Sequence, residues 1–410
     1  MASCRREPVA APVVVQPYKR PPIIDFHSHL SLDGLDRIRT IMADSGIERM
    51  INLSGGSGRR GPEQWQAAQE LSRLLGGKIS NFAIPNWRGL GETGWGDREA
   101  AALEMAVKDY GFQGLKIPKG LGLGYADERD QLVAPDDPRL NLLWDKAGEL
   151  GIPVSIHVAD PRAFWWPLSE KNERWDELGV HPYWAYGPIH PQLLATFAPQ
   201  VQEMVMQRPT VASWATLLQQ SENLFRHHPK TTFVAVHFGN CGEDLNYVSG
   251  VLERNPNVYI DMAARVGEFG RHPPDKVRAF FVRWQDRIVF GTDIGIGSDG
   301  LMLGSNGAEE PTMKDVKPFY DAHFRYLETE QKAIAHPSPI QGRWTVDAAG
   351  LPGEVLDKLY RKNAEKLLNR QLLLAEAAGR KPASLTVPLP LADDRLPAWA
   401  LSGAATPITN

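Results

Sequence analysis

The sequence predicts an α/β protein built on a closed (β/α)8 barrel, and three observations carry that reading. Eight short apolar runs, with amphipathic stretches between many of them, lie between residues 23 and 368, as repeated strand–helix units on a parallel sheet do. Gly and Pro punctuate many of the joins, at Gly111, Gly151-Ile-Pro153, Pro229 and Pro256. Residues capable of chemistry fall at the ends of the candidate strands, where a barrel collects its active site. An open doubly wound sheet is the rival topology, because local periodicity does not by itself close a sheet.

The strand candidates, in order, are Ile23–His29, Arg49–Leu53, Phe82–Pro85, Phe112–Ile117, Pro153–Val158, Thr232–His237, Val258–Met262 and Ile288–Asp293. Helical periodicity marks Gln64–Leu75, Arg98–Tyr110, Arg139–Leu150, Ala215–His227 and Leu245–Arg254, and a helix over Pro352–Leu368 closes the series after a long insertion. Residues 1–22 hold five prolines and read as a tail, the barrel spans 23–370, and 371–410 carry a helix end and a second proline-rich stretch. Between the fifth strand and Trp214, residues 159–215 are too long for a simple connection and hold five of the chain's twelve tryptophans. An aromatic-rich insertion over the barrel mouth is expected there. It serves as a lid for a flat or apolar substrate, or carries its own small core or a homodimer contact.

Composition removes several function classes. Of 410 residues, 45 are Lys or Arg and 49 Asp or Glu, a net charge of −4. Binding nucleic acid by phosphate neutralisation is disfavoured by that balance. Cys4 and Cys241 are the only cysteines, too few for a disulfide scaffold or a four-cysteine zinc site. No run of 18 apolar residues crosses a membrane. Met1-Ala-Ser-Cys4 looks like the end of a lipoprotein signal, so a cytoplasmic enzyme and a periplasmic, lipid-anchored one are both open readings. Gly295-Ile-Gly297-Ser-Asp-Gly300 has dinucleotide-loop spacing but opens no helix, and a mobile active-site loop is the expectation.

The chemistry gathers at strand ends. His27 and His29 stand two apart on the first strand and so face one way. Lys116 ends the fourth strand, His157 the fifth, His237 the sixth and Asp293 the eighth. Gly114, Ser155, Ala235 and Gly291 lie two positions earlier and leave room near the barrel axis. Neutral imidazoles with one carboxylate match zinc or a similar divalent ion. Each histidine alone would be an ordinary hydrogen-bonded core group; the joint placement is what signals a metal centre. Arg162 and Arg265, with Trp165 and Trp166, are candidate contacts for an aromatic or carboxylate-bearing small molecule.

Asp25-Phe-His27-Ser-His29, His157, His237 and Gly291-Thr-Asp293 together resemble the amidohydrolase superfamily, in its branch of hydrolases and nonoxidative decarboxylases. The resemblance runs from about Ile23 to Leu368, and Asn172–Leu178 is similar to a bacterial subgroup of that branch. It implies that His27, His29, His157 and Asp293 hold one metal, zinc in the first place and manganese as an alternative. His237 then acts beside it as an acid–base or polarising group. A carboxylated Lys116 would instead bridge two metals. The implied activity is hydrolysis of an amide, ester or lactone; decarboxylation on the same site and a catalytically silent metal-binding protein are the alternatives.

Overall fold

Eight parallel strands follow one another in chain order: β1 (Ile23–Leu30), β2 (Ile47–Asn52), β3 (Ile79–Ala83), β4 (Gly114–Ile117), β5 (Val154–Ile156), β6 (Phe233–Ala235), β7 (Val258–Asp261) and β8 (Ile288–Val289). The computed structural model describes residues 18–57, 62–298 and 300–401; Cys4 and most of the expected N-terminal tail lie outside them. Each strand pairs with the next. The chain just past β8 returns to β1, where Phe26 N–H donates to Phe290 O at 2.8 Å and Asp293 N–H donates to His27 O at 2.9 Å. These bonds bring the last strand against the first and exclude the open doubly wound sheet.

Two apolar layers follow from this arrangement. The larger packs the helices against the outside of the sheet. The smaller joins Ile24, Phe26, Ile51, Phe82, Val234, Tyr259 and Val289 to Ala364 and Leu367. Residues of six strands share only the barrel interior, so this second cluster is the floor beneath the site. Its closing helix runs as Gly353–Asp357, a π turn over Lys358–Lys362, and Asn363–Leu367. Close approach is built in at Gly291, where a Cβ would stand 2.9 Å from that of His27.

The structure trims or redraws several sequence expectations. The sixth strand stops at Ala235 because His237 and Phe238 take left-handed backbone angles, φ 57° and 58°. The eighth stops at Val289, and Asp293 sits at φ 64°. The glycine-rich segment after Asp293 is no free loop. It forms a hairpin of β9 (Ile294–Ile296), parallel to β1, and β10 (Leu301–Leu303), antiparallel to β9. A 16-residue helix, Met313–Glu328, occupies part of the long insertion before the last helix and opens on a Thr312–Asp315 capping box.

Residues 159–215 form short helical turns, including Arg162–Trp165, Trp175–Leu178 and Pro182–Trp184. Phe164, Leu168, Leu178 and Ala185 give them a core of their own. The C-terminal segment reaches this insertion: Arg162 Nη1 donates to Asp393 O at 2.8 Å, and Trp399 meets Trp166 edge-on.

Candidate metal centre

Four strand ends converge on one buried cluster. His27 Nε2 lies 3.4 Å and His29 Nε2 3.3 Å from the same Asp293 oxygen, Oδ1. His27 Nδ1 is 2.7 Å from Asp261 Oδ2. With the carboxylate oxygen accepting this hydrogen bond, Nδ1 carries the ring proton and a lone pair is left on Nε2; this atom is buried without a hydrogen-bond partner. A lone pair and a carboxylate oxygen facing each other at 3.4 Å repel unless a cation or proton stands between them. Together with His29 Nε2, they make a donor set that fits a divalent metal ion.

A second group, His27, His237 and Asp261, also has its donor atoms within 4.8 Å. There the carboxylate is already engaged. Besides His27, Asp261 accepts from the backbone N–H of His237 at 2.7 Å and of Ala263 at 3.1 Å. Asp261 is therefore the hydrogen-bonded support that fixes the His27 tautomer, a role such carboxylates commonly have beside metal-binding imidazoles. Sequence reasoning missed it, taking Val258–Met262 only as an apolar strand; the signal was a carboxylate at a strand's end.

His237 Nδ1 is 2.9 Å from Ala263 O. A carbonyl only accepts, so Nδ1 carries the proton and Nε2 is the acceptor. The His237 ring lies 4.6 Å from that of His27 and 4.4 Å from that of His157. His157 stands beside the donor set: its Nε2 donates to Ala159 O at 2.9 Å, which leaves Nδ1 as its lone-pair atom. Lys116 is buried and forms no ion pair among the described residues.

Burial sets the protonation states. It holds His237 well below the usual histidine range, lowers His29, and pulls His157 down to about 4 despite the opposing pull of Asp160. Lys116 falls to about 8 by burial, opposed by Asp261 and Asp293. Burial pushes Asp293 up, but its interactions with His27 and His29 and the charge of Lys116 outweigh it and keep the carboxyl below its ordinary range. Neutral imidazoles and an ionised carboxylate are the forms a metal requires.

The cluster opens into a cavity of about 210 Å³ lined by His157, His237 and Asp293 from the strands, and by Phe164, Arg174 and Trp184 among the insertion's residues. Of the predicted substrate contacts, Arg265 lines it; Arg162, Trp165 and Trp166 do not. Arg162 is turned to the C-terminal segment, and Trp165 Nε1 donates to Ala212 O at 3.0 Å. Lys119, which the sequence did not single out, enters the cavity with its Nζ 3.0 Å from Asp160 and 5.6 Å from the Trp184 ring.

The sequence model of the amidohydrolase family matches residues 24–370. No curated protein matches the chain. Solved structures that it resembles include an uncharacterised TIM-barrel protein from Bordetella bronchiseptica, at 16% identity over 87% of this chain and 99% of that one, TM-score 0.45. A 2,6-dihydroxybenzoate decarboxylase from Rhizobium gives 15% identity over 84% and 98%, TM-score 0.45. A 5-carboxyvanillate decarboxylase from Novosphingobium aromaticivorans, with manganese bound, gives 10% over 86% and 97%, TM-score 0.43. At these scores none of the three bears on what this chain acts on.

Proposed function

Because the chain belongs to the amidohydrolase family, we propose that it is a metal-dependent hydrolase that uses an activated water to cleave an amide, ester or lactone bond of a small molecule. The observation that carries this reading is the pair of imidazole Nε2 atoms facing one oxygen of Asp293, one of them buried and unpartnered. Zinc is the proposed ion, with manganese compatible with the same donors. One ion per chain is the preferred count, since a second requires a carboxylated Lys116.

A divalent ion at this place supplies Lewis acidity, lowering the pKa of a water to about 7 and polarising a substrate oxygen. The protein's own groups do the rest. Asp293 has a second oxygen free to take the water's proton and return it to the leaving atom. His237, protonated at Nδ1, offers Nε2 as an acceptor that orients the attacking water. His157 can add a donor through Nδ1. Phe164 and Trp184 supply apolar walls that narrow the cavity.

Elemental analysis of the purified protein should find about one divalent metal per chain. A panel of esters, lactones and amides, run beside aromatic carboxylates, should show hydrolysis that a chelator abolishes. Release of CO2 from the carboxylates with no hydrolysis would replace this reading with a carbon–carbon lyase.

A further inference from the structure

Three cations line the cavity, and they are not equivalent. Lys119 is paired with Asp160, and Arg174 is held by both Glu177 and Glu268. Arg265 has no such partner among the described residues. It is 4% exposed; Nη1 donates to its neighbour Ala264 O at 2.7 Å and Nη2 to Asn240 Oδ1 at 3.0 Å, and Nε is buried with no hydrogen bond. Both acceptors are neutral. The nearby carboxyls are each engaged through one oxygen, Glu268 Oε1 by Arg174 and Glu243 Oε1 by the backbone N–H of Arg162 at 2.9 Å; Oε2 of both is buried without a hydrogen bond, and neither forms an ion pair with Arg265 among the described residues. Burial, with Glu268 adding to it, pushes Glu243 up to about 7 against the opposing pull of the Arg265 charge.

A buried, unpaired charge costs several kcal/mol or more. The backbone is bent to place this one, since Ala264 sits at φ 53° and Asn240 at φ 52°, both in the left-handed region. From this we infer that Arg265 and Asn240 form an anion subsite, and that the substrate of the proposed hydrolase carries a carboxylate there, apart from the bond that is cleaved. The inference rests on the metal-dependent reading of the same cavity. A planar carboxylate matches the guanidinium edge, and the rings of Phe164 and Trp184 suit a flat body attached to it.

The test is binding of benzoate and of its neutral isostere benzamide to the metal-loaded protein, followed by calorimetry. Wild type should bind benzoate at least about tenfold more tightly, the discrimination a charge-assisted hydrogen bond gives. Arg265→Gln should erase the preference while leaving benzamide binding and metal content unchanged. Asn240→Asp, which sets a carboxylate against the guanidinium, should do the same and covers the case in which Arg265→Gln does not fold. Equal binding of the two probes by wild type, or a preference that survives in both variants, overturns the subsite. Inorganic phosphate binding more tightly than benzoate would overturn the carboxylate assignment. Metal content is read separately, so a protein without metal would sink the hydrolase reading while the benzoate result still stood or fell alone.

Discussion

The cavity has two halves of different origin. One is the set of strand ends, where His27, Asp261 and Asp293 are fixed by backbone and buried hydrogen bonds on neighbouring strands. The other is the insertion, which brings Phe164, Arg174 and Trp184 on short helical turns and is fastened by the Arg174–Glu177–Glu268 cluster. Groups on a sheet are held within narrow limits by many neighbours, which suits metal ligation; loop-borne groups vary shape and charge without disturbing them. Reaction chemistry and the Arg265–Asn240 subsite therefore belong to the strand ends, and the shape of the wall facing the rest of the substrate belongs to the insertion.

Changing the strand half should have the largest effects. Replacing His27 and His29 together with alanine should empty the metal site and abolish turnover, as elemental analysis and an ester assay would show; a double variant with full metal would refute the donor assignment. His237→Asn should keep the metal and lose about 10²–10⁴ in rate, whereas His157→Asn should lower metal occupancy as well. Equal metal loss in the two would make His237 a ligand.

Acid should separate the halves too. His157 is held at about 4 against 6.5 in an unfolded chain, so the unfolded state takes its proton first as pH falls. Stability is then constant above pH 6.5 and drops by about 3 kcal/mol between there and pH 4 from this group alone. Denaturant titrations at pH 7 and pH 4.5 would read that loss, and a flat profile would contradict a buried neutral imidazole. A smaller change is expected from Asp261→Asn, which frees the His27 ring and should cost 10–100-fold in metal affinity. The smallest belongs to the insertion. Trp184→Ala should raise KM by less than about tenfold with metal content and kcat nearly unchanged; a collapse of kcat would mean that the two halves are not separable.

The same division explains what could be read from the sequence. Strand-borne groups were legible because a strand's direction and period place a side chain: His27, His29, His237 and Asp293 all meet at the cluster. Even there the period is not the whole rule, since pairing of β1 with β2 shifts register between Asp25 and Ser28. Asp261 escaped notice because a single carboxylate closing an apolar run looks like a strand terminus. The insertion was legible only as a region. Arg162, Trp165 and Trp166 follow His157 closely in sequence, yet a helical turn carries them to the C-terminal segment and the insertion's own packing. Phe164 and Trp184 reach the cavity in their place, and no periodicity could have ranked them. The glycine spacing after Asp293 misled for a related reason, because pairing with β1 decides that its residues form a hairpin.

The clasp between Arg162 and Asp393 has a consequence in time. Its partners are 231 residues apart in sequence, so the barrel strands and the insertion are all synthesised before the segment that fastens the insertion exists. At about 5–20 residues per second, the interval is on the order of 10 to 50 seconds. Throughout it the nascent mouth carries Trp166 uncovered by Trp399, an apolar surface open to chaperones and to neighbouring chains on the same messenger. Pulse proteolysis of stalled nascent chains should therefore find the insertion cleavable before residue 393 emerges and protected after it.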